Sequence, residues 1–200
     1  MDKTGKGPVL PESYVREALA DYDKRYTYAD YVTWDDNTRW ELIRGIPYMM
    51  SAPNRRHQEV SGRLYLQLAN FLKGKSCKVY YAPFDVRLNH ATSDNTVVQP
   101  DIVIVCDQSK LNTAGCAGVP DMVIEILSSS TSGYDRTIKF NTYRDSGVRE
   151  YWIVDPDIKT LSVYILKDGD YFIRAYTDKN QAPVHILEGC VIDLSEVFED

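Results

Sequence analysis

The feature that most constrains the fold is an apolar run with a carboxylate at its centre, Met122-Val123-Ile124-Glu125-Ile126-Leu127. A short continuous run of this kind is typical of a strand that is buried on both faces of a sheet. An ionised glutamate inside such a strand loses its hydration, which is costly unless a cation, a metal or hydrogen-bond donors compensate it. Glu125 therefore needs a partner.

A second carboxylate, Asp101, follows Pro100 and opens the next most apolar strand, Ile102 to Val105. If the two strands are neighbours, Asp101 and Glu125 converge on one point. Two carboxylates and a backbone carbonyl, here that of Ile126, form the hard oxygen environment that Mg²⁺ or Mn²⁺ prefers. The spacing alone leaves an alternative open, in which Glu125 pairs with a core Arg or Lys and Asp101 only ends a turn.

The first half of the chain contains one clear helix. From Asn54 to about Lys73, apolar residues recur at steps of three and four, and Gly74 closes the pattern. His57 falls on the same inward face. Before this helix, Thr27 to Asp30 resembles a capping box that opens a short helix ending near Asp35, and residues 40–50 predict a strand pair turning at Arg44-Gly45.

The second half alternates strands and helices. A helix is predicted from Asp135 to Ser146, between two strands, which implies an α/β crossover. A hairpin is predicted at Tyr164 to Tyr176, with an Asp-Gly turn, and a helical turn at Leu194 to Phe198. The strand candidates are Val79 to Leu88, Asp101 to Cys106, Met122 to Leu127 and Glu150 to Val154.

Length and composition favour one domain. With 200 residues and 44% hydrophobic content, the chain can bury a core without disulfides, and we assign 1–25 to an N-terminal extension and 26–200 to the domain. It contains neither a signal-peptide pattern nor a membrane-spanning run, which predicts a soluble, cytoplasmic protein. The four cysteines are far apart and are predicted to be buried thiols, without disulfides or bound metal.

The net charge of -6 does not favour binding to nucleic acid, which rewards a basic surface. One segment is nevertheless basic, and it is explained equally well by a solvated helix face. Its basic residues are Arg55, Arg56, Arg63, Lys73, Lys75 and Lys78.

An ordered set of short motifs runs from about Tyr26 to Phe198. They are Trp40-Glu41-Leu42-Ile43-Arg44-Gly45, Ser51-Ala52-Pro53 followed by His57, Val98-Gln99-Pro100-Asp101-Ile102-Val103, Pro120 to Ser128, Asp135 with Lys139 and Tyr143, and Gly147 to Asp155. In this set the chain resembles the Uma-type family of "putative restriction endonucleases", within the PD-(D/E)xK nuclease superfamily.

The resemblance implies an α/β (α+β) fold with a restriction endonuclease-like core: a central mixed β-sheet flanked by helices, here with an additional C-terminal β-hairpin. It also implies Mg²⁺-dependent phosphodiester cleavage, with Mn²⁺ as a substitute, at the strands that bear Asp101 and Glu125. The implied partner is nucleic acid, DNA in preference to RNA, and the fold class is compatible with a homodimer.

The chain departs from the usual motif at one position, because Leu127 stands where a lysine normally follows the acidic residue by two. Lys139, on the predicted helix, is the natural replacement and would stabilise charge at the phosphate. Asp135 and Tyr143 lie one turn away on either side and could hold it. The alternative is an exposed lysine paired with Asp135.

Glu41 and His57 are two further candidates for catalysis. By the resemblance, Glu41 completes the metal shell or binds a metal water; otherwise it pairs with Arg44 or another nearby cation. His57 could bind metal, orient water or contact phosphate, or be a structural histidine. Ser128 to Gly133 predicts a flexible loop near the site, and Asp85 is expected to face solvent or a neighbouring strand.

Two functions remain after these observations. The first is a metal-dependent endonuclease, and the second is an inactive nuclease-like scaffold that binds protein or nucleic acid. The negative charge and the displaced lysine favour the second.

Overall fold

The structure is a computed structural model that describes residues 24–35, 38–128 and 135–199. Most of the predicted N-terminal extension lies outside these ranges, as does the predicted loop after Ser128. Within them the chain forms two six-stranded sheets, a two-stranded sheet and a small number of helices.

The helices include one long one and several short ones. A π-helical turn, Asp135–Lys139, leads directly into α3, and a 3₁₀ turn spans Gln108–Lys110. The α-helices are α1 Tyr28–Tyr31, α2 Arg55–Leu72, α3 Phe140–Ser146 and α4 Leu194–Val197.

The strands are short in the first half of the chain and longer in the second. Their bounds are β1 Trp40–Ile43, β2 Ile46–Met49, β3 Lys78–Tyr81, β4 Val86–Arg87, β5 Val97–Val98, β6 Ile102–Val105, β7 Leu111–Asn112, β8 Gly115–Ala117, β9 Met122–Ile126, β10 Glu150–Asp155, β11 Thr160–Lys167, β12 Asp170–Thr177, β13 Gln181–Pro183 and β14 Val191–Asp193.

The central sheet has the strand order β12-β11-β10-β9-β6-β3 and is mixed. β9 and β10 are parallel and are joined through α3, which confirms the predicted crossover, whereas β6 pairs with β9 in the antiparallel direction. Every residue of β9 is buried, so the prediction of a strand covered on both faces is confirmed. The β11–β12 hairpin is also present, with longer strands than predicted.

One face of the central sheet packs against α2. The helix contributes Val60, Leu64, Leu68 and Leu72, as its apolar spacing predicts, and α4 with the β13–β14 pair extends the same core. Asn54 caps the helix by accepting the backbone N–H of His57 at 2.9 Å. His57 is therefore held at the N-terminal end of α2, on its buried side.

The opposite face of the central sheet is covered by α3 and by the first sheet, whose strand order is β2-β1-β5-β4-β8-β7. Because side chains alternate along a strand, Val123, Glu125 and Leu127 of the β9 segment point to this face. The predicted turn between β1 and β2 is confirmed: Arg44 and Gly45 both have positive φ, of 51° and 79°.

The predicted strand Val79 to Leu88 is wrong, because the segment divides into two strands of different sheets. β3 pairs with β6 in the central sheet, while β4 pairs with β5 and β8 in the first sheet. Pro83 lies between them and has no N–H to donate to a ladder. Both halves are rich in β-forming residues, which is why the sequence reads as one strand.

The first helix is shorter than predicted and ends at Tyr31 rather than near Asp35. Its start is as predicted, since the Asp30 carboxylate accepts the backbone N–H of Thr27 at 2.8 Å. One polar contact at the start does not extend a helix whose residues include none that are buried.

The prediction that the cysteines form no disulfide is wrong for one pair. The register of β3 against β6 pairs Lys78 with Val105, which places Cys77 opposite Cys106, and these two are joined in a disulfide. Disulfides are typical of oxidising compartments, so this bond does not support the cytoplasmic prediction. Cys116 and Cys190 are free and buried, and burial raises the pKa of each thiol to about 11.

Candidate active site

The pairing of β6 with β9 brings the two predicted carboxylates together. Ile102 pairs with Ile124, so Asp101 and Glu125 lie opposite each other one residue further along. The Oδ2 atom of Asp101 accepts the backbone N–H of Ile126 at 2.8 Å. The two strands are thus neighbours, as the convergence of the two acids requires. The Asp101 carboxylate is hydrogen-bonded to Ile126 of β9 and to His57 of α2.

Glu125 has two hydrogen-bonding partners on the π turn and α3. Its Oε1 atom lies 2.9 Å from the Lys139 ammonium and accepts the hydroxyl of Tyr143 at 2.6 Å. Burial, and then the charge of Glu125, raise the pKa of Tyr143 well above its usual value. The phenol therefore stays protonated and donates to the carboxylate.

Lys139 is buried between two glutamates. Its ammonium lies 3.0 Å from Glu41 and 2.9 Å from Glu125, and only 4% of its side chain is exposed. The alternative of an exposed lysine is therefore wrong, and the side chain of Asp135 lies outside the described residues. The hydroxyl of Tyr143 binds the same Glu125 oxygen as Lys139 does, and its role in holding Lys139 stays a prediction.

The π turn helps to bring these side chains onto one face. Lys139 is its last residue, and Tyr143 follows four residues later in α3. Residues four apart lie on the same side of a helix, and π turns are frequent at functional sites. The backbone irregularity is thus adjacent to the lysine that replaces the one missing after Glu125.

Glu41 is held from two directions. β1 presents it to the interior with 2% of its side chain exposed, and its Oε1 atom accepts the backbone N–H of Gln99 at 2.8 Å as well as binding Lys139. Arg44, the partner considered from the sequence, instead pairs with Asp145 at the surface. Glu41 is therefore a partner of the lysine, and its metal-binding role stays a prediction.

His57 contacts the acidic pair from α2. Its Nε2 atom lies 3.1 Å from Oδ2 of Asp101, while its buried Nδ1 atom has no hydrogen-bond partner among the described residues. This contact orients the Asp101 carboxylate, and the other roles considered for His57 stay predictions.

A polar network next to the site was missed by sequence reasoning. Gln99 accepts two bonds from Arg39, and its amide nitrogen donates to Asp85 at 2.8 Å and to Tyr31 at 3.0 Å. Asp85 therefore faces a neighbouring strand, the second of its two expected positions, because the pairing of Val86 with Val98 places it opposite Gln99. The one available signal was the position of Gln99 directly before Pro100-Asp101, in a segment that is otherwise apolar.

Burial determines the protonation behaviour of this network. Desolvation is the main cause that raises the pKa of Asp85, and its hydrogen bonds from Gln99 and Tyr31 partly oppose the shift. Desolvation, followed by the charge of Asp85, also raises the pKa of Tyr31. The phenol therefore remains a donor near neutral pH.

A second buried carboxylate, Glu150, does not join the site. It begins β10 on the α2 side of the sheet, where it accepts Nε1–H of Trp152 at 2.8 Å and the N–H of Ile186 at 2.9 Å. Burial raises its pKa. Its contacts connect β10 to the C-terminal segment, which is a structural role.

The site residues line a cavity of about 110 Å³. Glu41, His57, Asp101, Glu125, Ile126 and Lys139 all contribute to its wall. Asp101 has 18% of its side chain exposed, against 2% for Glu41 and 5% for Glu125. Asp101 is thus the most accessible carboxylate of the three.

The donor set fits a hard divalent cation. Asp101, Glu125 and Ile126 line the same cavity. Mg²⁺ and Mn²⁺ prefer oxygen ligands such as the two carboxylates and the backbone carbonyl of these residues. Within 24–35, 38–128 and 135–199, no group of three or more His, Cys, Asp or Glu side chains could hold a metal ion. The predicted set contains two such side chains and a backbone carbonyl, and the addition of Glu41 or His57 to it stays a prediction.

Much of the predicted basic segment is occupied by contacts within the chain. Arg56 donates to the carbonyls of Phe198 and Glu199, and Arg63 donates to that of Glu199. Arg55 pairs with Glu59, and the Lys75 ammonium lies over the ring of Phe71. Arg56 and Arg63 therefore hold the C-terminal segment against α2, a role that the expectation of a solvated helix face did not include.

The sheet is mixed and flanked by helices, with one acid directly before β6, another on β9 and a lysine that reaches Glu125 from the π turn. These features define the restriction endonuclease-like fold class. A crystal structure of a "putative nuclease belonging to DUF820" from Anabaena variabilis is similar to this chain, with a TM-score of 0.70 and 17% sequence identity. The match covers 86% of this chain and 97% of that one. At this identity the likeness establishes the fold.

Residues 28–195 match the Uma2 family, whose description is "Putative restriction endonuclease", and the chain belongs to this family. Two similar proteins of Synechocystis sp. are both named as uncharacterized. One, slr1290, is 28% identical over 74% of this chain and 78% of its own length. The other, sll1609, is 24% identical over 66% of this chain and 76% of its own length.

No helix in the described part of the chain has the length and apolar character needed to cross a membrane.

Proposed function

We propose that this protein is a divalent-metal-dependent endonuclease that hydrolyses phosphodiester bonds of DNA in preference to RNA, within a single domain at 26–200. The observation that carries the proposal is the 2.9 Å contact between Lys139 and Glu125, beside Asp101 on the neighbouring strand. Two acids and a lysine around one cavity are the groups that a PD-(D/E)xK site needs. The choice of DNA rests on the description of the family.

Asp101, Glu125 and the carbonyl of Ile126 would hold Mg²⁺. When bound, the ion would supply an activated water and neutralise charge on the phosphoryl group. Lys139 stabilises negative charge at the reacting phosphate, and Glu41 keeps its ammonium in place. His57 orients Asp101, and Tyr143 fixes the carboxylate of Glu125.

The alternative function is a nuclease-like scaffold without turnover. One of its two arguments was the absence of a lysine beside Glu125, and the position of Lys139 removes that argument. The net charge of -6 still favours it. The two functions differ in metal binding and in turnover, and both quantities can be measured.

Cleavage of plasmid DNA and of labelled RNA, with Mg²⁺ or Mn²⁺, tests the nuclease function. We expect metal-dependent cleavage that Asp101→Asn, Glu125→Gln and Lys139→Met each abolish. Glu188→Gln serves as the matched control and should leave cleavage unchanged, because Glu188 is exposed and lies near Ile186, which binds Glu150 at the end of β10 opposite the site. Activity that survives both Asp101→Asn and Glu125→Gln would exclude this site.

Calorimetry with Mn²⁺ separates the enzyme from the scaffold. The enzyme predicts binding that Glu125→Gln removes, whereas the absence of binding at millimolar Mn²⁺ supports the scaffold. DNA binding without metal binding or turnover would also support the scaffold.

We also propose that the predicted homodimer forms through β12, an edge strand of the central sheet. Phe172 and Ile173 are 58% and 59% exposed, and an exposed apolar edge is a template for pairing with another strand. Antiparallel pairing centred on Phe172 would place Asp170 opposite Arg174 of the partner subunit. In a two-fold symmetric dimer this Asp170–Arg174 pair occurs twice, which favours a second copy of this chain as the partner of β12.

Sedimentation velocity tests this interface. The wild type should be a dimer, Arg174→Asp a monomer because two acids then face each other, and the double variant Asp170→Arg/Arg174→Asp a dimer again. A monomeric wild type, or a double variant that stays monomeric, would contradict pairing in this register.

A further inference from the structure

We propose that Arg39 binds a backbone phosphate of the nucleic-acid strand, next to the reacting phosphate; this assignment rests on the proposed function. Arg39 directly precedes β1 and lines the cavity that also contains Glu41, Asp101 and Lys139. It is half-buried, whereas Lys139 is almost fully buried. Arg39 is thus a cation within reach of a strand that lies across the mouth of the cavity.

The guanidinium of Arg39 is held by a neutral group. Its Nε and Nη2 atoms donate to Oε1 of Gln99, at 3.1 and 2.7 Å. The ion pairs of the described residues do not include Arg39. Its positive charge is therefore positioned without being neutralised by direct contact, which leaves donors for an anionic oxygen.

Gln99 is itself fixed on several sides. Its amide nitrogen donates to Asp85 and Tyr31, and its backbone N–H donates to Glu41. One residue thus positions both Arg39 and the carboxylate that holds Lys139. Because the guanidinium is ordered before the ligand arrives, binding loses little side-chain entropy.

The chemistry of the ligand follows from the shape and charge of this group. A planar guanidinium with free donors matches two oxygens of a phosphate. The cavity wall beside Arg39 is acidic and repels an anion everywhere except at Arg39 and Lys139. A phosphodiester backbone, which offers regularly spaced phosphates, can contact Arg39 while another phosphate lies at Lys139.

The test measures binding separately from cleavage. A short fluorescein-labelled DNA duplex is titrated in Ca²⁺, by anisotropy at several salt concentrations, with the wild type, Arg39→Ala and Arg39→Lys. Arg149→Ala is the matched control, because Arg149 is exposed and precedes the opposite end of β10, away from the site. Single-stranded DNA and RNA of the same length are titrated in parallel.

We expect Arg39→Ala to raise the Kd about tenfold or more, and to lower the magnitude of the salt slope by about one. Arg39→Lys should retain the salt slope, because the charge remains, and recover only part of the affinity. Arg149→Ala should change neither, and all variants should melt near the temperature of the wild type. In cleavage, Arg39→Ala should raise KM more than it lowers kcat.

The possible results separate this inference from the proposed function. Metal-dependent cleavage with an unchanged Kd and salt slope in Arg39→Ala overturns the role of Arg39 and leaves the nuclease intact. Binding that depends on Arg39 without any cleavage supports Arg39 and contradicts the nuclease. Wild-type protein that binds none of the three nucleic acids overturns both, and an equal loss in Arg149→Ala overturns the role of Arg39.

Discussion

At the scale of the residue, Lys139 explains how a site can lack the lysine of its motif. Residue 127 lies on the same face of its strand as Glu125, but it is a leucine buried in the core. The ammonium instead reaches Glu125 from the π turn before α3. The lysine and the acid are therefore positioned by two elements, so their distance depends on how α3 packs.

Tyr143→Phe tests the hydroxyl that holds Glu125. The change keeps the buried ring and removes one hydrogen bond to a charged group, so we expect the free energy of unfolding to fall by about 1.5–3 kcal/mol. Cleavage should also fall, because Glu125 loses a contact that fixes its orientation. Urea denaturation and plasmid cleavage measure the two effects.

The matched control is Tyr164→Phe, in the same aromatic cluster but without contact to Glu125. Equal effects of both changes on cleavage would show that the Tyr143 hydroxyl has no specific role at the site.

Asp85→Asn tests the raised pKa of a buried carboxyl. Because the folded chain holds this proton more tightly than the unfolded chain, the stability that Asp85 contributes is present below its usual pKa of 3.8 and lost as the pH rises through the raised pKa. Asn has no proton to lose and keeps an oxygen that can accept from Gln99 and Tyr31.

The free energy of unfolding of the wild type should therefore fall relative to that of Asp85→Asn as the pH rises. Arg39 and Glu41 also act on this carboxyl, in opposite directions, and both proteins contain them. Urea denaturation of the two proteins at about pH 4 and about pH 7 gives the comparison. A difference that stays constant with pH would contradict the raised pKa.

At the scale of the element, the N-terminus of α2 connects helix stability to the site. Asn54 caps the helix through the N–H of His57, and the imidazole of His57 contacts Asp101. The same four-residue segment thus starts the helix and places a side chain against the acidic pair. The start of this helix can be predicted from the local sequence, because a capping side chain binds a backbone N–H only a few residues away.

Asn54→Ala should cost about 1 kcal/mol of stability, because the cap is lost, and should reduce cleavage as His57 becomes less well fixed. Thermal or urea unfolding gives the first quantity and plasmid cleavage the second. Asn54→Ser keeps a capping oxygen and should restore both. If Asn54→Ser is as impaired as Asn54→Ala, the cap is not the cause.

At the scale of the whole molecule, the site is assembled from both larger sheets and both sides of the central one. Glu41 comes from the first sheet, Asp101 and Glu125 from the central sheet, His57 from α2 on one face, and Lys139 from the π turn on the other. Only the folded chain brings these groups together. A metal that binds here must therefore stabilise the fold.

Mn²⁺ at about one hundred times its Kd should add about 2.7 kcal/mol to the free energy of unfolding, and excess EDTA should reverse the gain. Glu125→Gln should abolish the effect, while Glu188→Gln should respond like the wild type. Differential scanning calorimetry with and without Mn²⁺ measures it. A gain of equal size in Glu125→Gln would place the metal elsewhere.

The elements that carry the site could be predicted from the sequence. The apolar periodicity of the helix at Arg55–Leu72 and the continuous apolar runs of the strands at Ile102–Val105 and Met122–Ile126 predict which residues are buried. A carboxylate within a buried run predicts a partner for the same reason. The crossover between β9 and β10 follows from the order of the elements.

Contacts between segments distant in sequence were decided by the tertiary structure. The register of β3 against β6 places Cys77 opposite Cys106. The segment predicted as one strand divides near Pro83, and its two halves pair in different sheets. The network of Arg39, Gln99 and Asp85 joins three segments whose local sequences carry no sign of one another. The sequence alone determined that Glu125 must have a partner, because burying its charge is costly; only the packing of α3 and its π turn against the sheet decided that the partner is Lys139.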